Sequence, residues 1–83
     1  LFLGLDFGTS GARACIIDAA KIIVWEHLIN YPNPNKQPPN DWRSALHGLL
    51  DQLPTTIAKK LHGIAIDGTS ATVLLCDANL NPC

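Results

Sequence analysis

An apolar run that ends in a carboxylate and then turns through glycines and hydroxyls is the feature that most limits what this chain can fold into. The run Leu3–Leu5 leads to Asp6, and after Phe7 the chain passes through Gly8, Thr9, Ser10 and Gly11 into a second apolar run. A strand and turn of this kind can direct backbone N–H groups and two hydroxyls to one point, which binds anions. Asp6 is then placed to hold Mg²⁺ beside the anion. The pattern predicts a site for a metal-bound polyphosphate.

Two familiar phosphate motifs are absent from this turn. No Lys follows the glycines, as a Walker A loop requires, and the Gly-x-Gly-x-x-Gly dinucleotide pattern does not occur there. The glycines are expected to supply either positive φ angles or room for a phosphate close to the backbone. The alternative is an ordinary hairpin turn in which Asp6 is only a cap.

The residues after the turn predict two further strands. Residues 12–18 form a short segment, residues 22–29 are rich in β-branched and aromatic side chains, and a tight connection over residues 18–21 joins them. The first part of the chain is therefore predicted to be an antiparallel meander. In its third strand, Ile22, Val24 and Leu28 are expected to form the apolar face, with His27 on the opposite face.

A proline-rich surface connection over residues 31–40 is predicted to lead into a helix. Asn40 is expected to be the N-cap of this helix, which spans residues 41–53 and ends or restarts at Pro54. Its apolar stripe is predicted to pack on the sheet and consists of Trp42, Leu46, Leu49, Leu50 and Leu53. Arg43, His47 and Asp51 are expected to face solvent.

A second apolar strand, over residues 61–66, also ends in an aspartate and a polar turn, Asp67-Gly68-Thr69-Ser70, and a further apolar strand is predicted after it. This turn has one glycine fewer than the first, so it offers a poorer anion site. Its hydroxyls suit the hydroxyls of an acceptor substrate. The alternative is that Thr69 and Ser70 only satisfy the backbone of the turn.

Composition excludes several classes of partner. The chain has 83 residues and a net charge of −1, which gives no electrostatic reason to bind nucleic acid or an anionic membrane surface. No run is long enough for a membrane span. Cys15 and Cys76 are expected to be small apolar side chains within strands, and three cysteines without a Cys-x-x-Cys pair predict no disulfide framework. These features predict a soluble protein of the reducing cytoplasm, and they do not indicate an oligomeric state.

The order of these segments resembles the nucleotide-binding lobe shared by sugar kinases, actin and Hsp70-type ATPases. Residues 4–13 are most similar to the N-terminal phosphate motif of FGGY carbohydrate kinases, Asp-x-Gly-Thr-Ser/Thr-Ser/Gly. The resemblance implies an α/β fold with a ribonuclease-H-like core, in which an antiparallel meander precedes a helix and further strands. It also implies that residues 1–83 are the N-terminal part of the first kinase domain, which works with the rest of its own kinase chain.

The same resemblance implies an ATP-dependent kinase whose sugar substrate is a ketopentose. The turn at residues 67–72 is similar to the Asp-x-Thr-x-Ser pattern of ribulokinases, which favours D-ribulose, with xylulose or another polyol as the alternative. In such an enzyme Asp6 binds Mg²⁺ and acts in catalysis with Thr9, the turn at residues 8–11 holds the ATP phosphates, and Ser70 with Asp67 contacts the sugar. The general base lies outside these residues. The rival interpretations are an Hsp70-like or actin-like ATPase module and a non-catalytic nucleotide-binding domain.

Overall fold

The computed structural model describes residues 1–33, 39–69 and 74–82. Their elements are β1 (Phe2–Phe7), β2 (Gly11–Ile17), β3 (Ile23–Asn30), α1 (Pro39–Gln52), α2 (Thr55–Ala58) and β4 (Gly63–Gly68). The strands form one sheet in the order β3-β2-β1-β4. The pairs β1–β2 and β2–β3 are antiparallel, and β4 is parallel to β1. The expected α/β class and the antiparallel meander are therefore confirmed.

A five-residue turn joins β2 to β3. The Asp18 carboxylate accepts hydrogen bonds from the N–H groups of Ala20 (2.9 Å) and Ile22 (3.0 Å). Lys21 adopts a φ of 65°, in the left-handed region. Because Asp18 and Ile22 belong to this turn, β2 ends one residue before its predicted end and β3 begins one residue after its predicted start.

The core lies between α1 and one face of the sheet. Alternate residues of β1 and β2 point towards the helix, as the period of a strand requires. The buried apolar residues are Leu3, Leu5, Ala12, Ala14, Ile16, Tyr31, Ala45 and Leu49. The stripe of α1 packs on this layer with Trp42, Leu46 and Leu53 half-buried. Leu50, predicted in the stripe, is instead 41% exposed, because the buried stripe runs through Ala45.

Two further sequence predictions, one about the meander and one about the helix, are wrong. The inward residues of β3 are Trp25, His27 and Ile29, not the predicted face of Ile22, Val24 and Leu28, which are exposed. The register with β2 fixes this, since Ala12 and Ala14, which are buried, pair with Ile29 and His27. Asn40 is not an N-cap, because α1 already begins at Pro39.

A helix can start in this way because a proline in its first turn lacks an N–H that would have no partner there. The solvent-facing residues of α1 are as predicted, since Arg43, His47 and Asp51 are exposed. The predicted restart at Pro54 is also confirmed, because α2 begins at the next residue.

The segment after β4 differs from its prediction. Leu74 and Leu75 are in no strand, and Cys76 forms only an isolated bridge with Pro82. Cys76 is therefore an exposed free thiol and not a buried strand residue, whereas Cys15 lies half-buried in β2 as expected. The turn that follows Cys76 repeats the β2–β3 turn: the Asp77 carboxylate accepts from the N–H groups of Asn79 and Asn81 (both 2.9 Å), and Leu80 has a φ of 65°.

None of the helices in the described ranges is long and apolar enough to cross a membrane.

Candidate functional site

The two Asp-containing turns lie side by side at one edge of the sheet. β1 and β4 are parallel, so their carboxyl ends meet at that edge. Asp6 of β1 is the direct partner of Asp67 of β4, and Phe7 is the partner of Gly68. The structure therefore brings together the two segments that were singled out from sequence alone.

The turn between β1 and β2 is closed and held from both sides. The Gly8 N–H donates to the Gly11 carbonyl (2.9 Å), and the Ser10 carbonyl accepts from the Tyr31 N–H (2.9 Å). Thr9 and Ser10 form the tip and are exposed. Because both ends of the turn are fixed, these two residues are presented to solvent in one defined arrangement.

The glycines of this turn do not supply positive φ angles, since the described glycines include none. The first of the two expected roles is therefore excluded, because the hydrogen bond between Gly8 and Gly11 closes the turn with ordinary backbone angles; room for a phosphate stays a prediction. Gly11 is required for a different reason: a Cβ there would lie 2.4 Å from the Ile29 carbonyl oxygen of β3. At Gly8 the nearest atom, the Gly11 carbonyl oxygen, would be 3.4 Å away. Gly8 alone is therefore left for a close approach of a phosphate.

Asp6 lies between one cation and one anion on the sheet. Its partner on β2 is Arg13 and its partner on β4 is Asp67, so the three side chains share the face opposite α1. All three residues are exposed. A shallow depression of about 350 Å³ on this face is bordered by them and by Cys15. The guanidinium can attract phosphate, and the carboxylates can bind a divalent cation or its waters.

The carboxylates fit Mg²⁺ only as part of its ligand shell. No group of three or more metal-binding side chains occurs in the described parts of the chain. Mg²⁺ commonly keeps several waters and uses one or two carboxylates together with substrate phosphates. Asp6 and Asp67 match that donor set, and a nucleotide would have to complete it.

The turn after β4 is held against the end of β1. The Asp67 carboxylate accepts from the Gly68 N–H (2.8 Å), and the Phe7 carbonyl accepts from the Thr69 N–H (3.1 Å). The Thr69 hydroxyl also donates to that carbonyl, at 3.5 Å. Thr69 therefore serves the backbone of the turn. Ser70, the predicted sugar contact, lies outside the described residues.

A second, more apolar cavity of about 520 Å³ opens between the first turns of α1 and the ends of β1 and β4. Phe7, Trp42, Leu46 and Ile66 supply its apolar walls, and Arg43 and Asp67 also border it. Trp42 thus has two roles, since it also packs against the core. Arg43 was predicted only to face solvent, and no local sequence signal indicated that it also borders a cleft.

Tyr31 is a residue that sequence reasoning assigned to a surface loop. It is only 4% exposed, and its hydroxyl has no hydrogen-bond partner in the described part of the structure. Burial raises the pKa of Tyr31, and the negative charges of Asp6 and then Asp41 raise it further. An aromatic residue between a strand and a proline-rich segment was the only sequence signal of this role.

No protein-family model matches the chain. Its structure is similar to the crystal structure of a xyloylose kinase from Brucella ovis, with a TM-score of 0.79 and 30% sequence identity. The match covers 96% of this chain and 19% of that kinase, so the chain spans about a fifth of the length of the protein it resembles. The sheet and helix described above therefore match a part of a kinase.

Proposed function

We propose that this chain supplies the phosphate-binding part of an ATP-dependent carbohydrate kinase. The observation that carries the proposal is the paired edge of β1 and β4, where Asp6 lies beside Asp67 and the next turn presents an exposed Thr-Ser tip, in a fold that matches a sugar kinase. Under this proposal residues 1–83 belong to the first domain of an FGGY-type kinase with a ribonuclease-H-like core. The remainder of such a kinase would supply the general base and the adenine pocket.

The residues at this edge have separate tasks in phosphoryl transfer, in which a protein mainly positions groups and neutralises charge. Mg²⁺, when bound, neutralises charge that develops on the transferred phosphoryl group. Asp6 holds the metal or one of its waters in place. Gly8, Thr9, Ser10 and Gly11 form the turn that faces the phosphate oxygens, with the two hydroxyls at its exposed tip.

The acceptor is proposed to be a ketopentose, with D-ribulose as the leading candidate. Ser70 and Asp67 would bind its hydroxyls, and Asp67 borders the same cavity as Trp42 and Ile66. The apolar wall suits the C–H surface of a sugar, and the charged rim suits its hydroxyls. D-xylulose is the alternative, because the similar solved structure is described as a xyloylose kinase.

A panel of acceptors tests this function in the intact protein. ADP release with MgATP is measured for D-ribulose, D-xylulose, L-ribulose and glycerol, and we expect the highest kcat/KM for a ketopentose. Glycerol should be a poor acceptor, because its missing hydroxyls leave polar groups of the site unpaired. ATP hydrolysis that no acceptor stimulates would indicate an ATPase module instead, and the absence of any turnover would indicate a non-catalytic domain.

Ser70→Ala tests the sugar contact. A lost neutral hydrogen bond of about 0.5–1.5 kcal/mol corresponds to a roughly 2- to 12-fold rise in the sugar KM, and the KM for ATP should not change. Ser44→Ala is the matched control, since Ser44 is an exposed serine of α1. Equal effects of the two substitutions, or an effect on ATP alone, would contradict the assignment.

A further inference from the structure

The cavity beside α1 brings the start of the helix together with both turns of the candidate site. Gly8 belongs to the turn between β1 and β2, and Asp67 and Gly68 lead into the turn after β4. Trp42, the fourth residue of α1, borders the same cavity. A ligand that occupies the cavity therefore lies next to both turns and next to the helix.

One side of this cavity is an apolar part of the sheet that α1 leaves uncovered. Ile66 of β4 pairs with Leu5 of β1, so both side chains lie on the α1 face of the sheet. Leu5 is buried, whereas Ile66 is 70% exposed, because α1 packs mainly on β2 and β3. Ile66 thus adds an open apolar surface to the cavity that Trp42 borders.

Trp42 is anchored on the core and still borders the cavity. Its side chain is half-buried and packs against the core cluster. Because this packing already restricts the side chain, little of its freedom is lost when a ligand binds. Small-molecule sites commonly combine aromatic and apolar walls with a few polar groups. Asp67, which borders the same cavity, is such a polar group.

We propose that Trp42 is a binding residue for the acceptor, whose ring packs on the C–H groups of the bound ketopentose while Asp67 accepts hydrogen bonds from its hydroxyls. The inference rests on the proposed function, because the cavity must hold the acceptor. The two turns offer backbone groups, hydroxyls and a carboxylate, so the apolar contacts with the sugar come from the helix and the strands.

Tryptophan fluorescence tests the contact directly, with the ketopentose of highest kcat/KM in the acceptor panel as the probe. The chain has two tryptophans. Trp25 lies on β3, at the opposite edge of the sheet from β4, and stacks on His27 with the ring centroids 6.1 Å apart. The ketopentose, added without nucleotide, should change the emission because it excludes water from the Trp42 ring. This change should persist in the Trp25→Phe protein and be largely lost in the Trp42→Phe protein.

Steady-state kinetics separates the acceptor contact from a structural role. Trp42→Leu removes the aromatic ring, so the KM for the ketopentose should rise roughly 2- to 12-fold, the scale of one aromatic contact, while the KM for ATP stays unchanged. Trp42→Phe should restore most of this loss. Trp25→Leu is the matched control, because Trp25 is also half-buried and packs against the core. It should lower the melting temperature by a similar amount and leave the KM for the ketopentose unchanged.

Equal rises in the ketopentose KM of the Trp42→Leu and Trp25→Leu proteins would overturn the proposal. So would an emission change that Trp42→Phe retains in full, and this measurement decides if Trp42→Leu does not fold. In both cases acceptor-dependent ADP release by the wild type would leave the proposed function standing. A wild-type protein that releases ADP with no acceptor of the panel would instead overturn the proposed function itself, and this inference with it.

Discussion

Substituting Gly11 tests the close contact between β2 and β3 on which the candidate site depends. An added Cβ would lie 2.4 Å from the Ile29 carbonyl oxygen, 3.0 Å from the Asn30 Cα and 3.2 Å from the Ile29 carbonyl carbon. All three atoms belong to the backbone of β3, so no side-chain rotation can relieve the contact. Gly11→Ala must therefore push the two strands apart.

The expected magnitude follows from two opposing effects. Overpacking of this kind costs about 1–3 kcal/mol. Replacing glycine by alanine also makes the unfolded chain less flexible, which raises the free energy of unfolding by roughly 0.4–1 kcal/mol. No positive φ adds to the cost at Gly11. The steric effect is the larger one, so Gly11→Ala should lower the free energy of unfolding by about 1–2 kcal/mol.

Urea denaturation of the intact protein, followed by circular dichroism, measures this difference. Two glycines of the same hairpin are controls: a Cβ would meet its nearest atom at 3.8 Å at Gly4 and at 3.4 Å at Gly8. Gly4→Ala and Gly8→Ala should therefore change stability little. Equal stability of the Gly11→Ala and Gly4→Ala proteins would refute the reasoning. Gly8→Ala should nevertheless weaken ATP binding, if phosphates approach the backbone there.

The two similar turns give two further predictions. Lys21→Gly and Leu80→Gly should each stabilise the protein by about 0.5–1 kcal/mol in the same denaturation assay. A left-handed φ costs an L-residue roughly 1–2 kcal/mol, and the greater flexibility of glycine in the unfolded chain offsets part of the gain. A loss of stability at both positions would contradict the turn geometry. Hydrogen bonding, first from the Asn81 N–H, lowers the pKa of the Asp77 carboxyl below its ordinary 3.8. The charged carboxylate therefore stabilises the fold above pH 3.8, and this stabilisation is lost as the pH falls through the pKa of the folded protein. Asp77→Asn should reduce the slope of stability against pH below about pH 4, and an unchanged slope would contradict this account.

The local pattern of the first hairpin was sufficient to predict β1, β2 and the turn between them. Asp6, the glycines and the alternating apolar residues all indicate the same structure, and the register leaves little choice. The inward face of β3 could not be predicted in the same way. Both faces of β3 are apolar in part, and only pairing with the buried Ala12 and Ile16 selects Ile29 and Trp25.

The neighbouring positions of Asp6 and Asp67 depend on a parallel pairing between segments far apart in sequence. The similar turns indicated that both matter, but no local signal places β4 beside β1. The burial of Tyr31 also depends on packing between segments far apart in sequence, here the sheet and α1. The prediction of a strand after Ser70 is wrong for Leu74–Cys76. The turn at Asp77–Asn81 is closed by local hydrogen bonds to the Asp77 carboxylate, and the single bridge between Cys76 and Pro82 flanks it.

Transfer of the γ-phosphoryl group of ATP to a ketopentose by the Asp6→Asn protein is the most direct test of the account. Asp6 is exposed at the end of a strand, so the substitution should leave the unfolding free energy and sugar binding nearly unchanged. Phosphoryl transfer should fall by more than about 100-fold, the scale on which one group that stabilises transition-state charge acts. Asp51→Asn, at an exposed carboxylate of α1, is the control and should keep full activity. Wild-type turnover by the Asp6→Asn protein would contradict the central claim that this carboxylate serves a metal-bound polyphosphate.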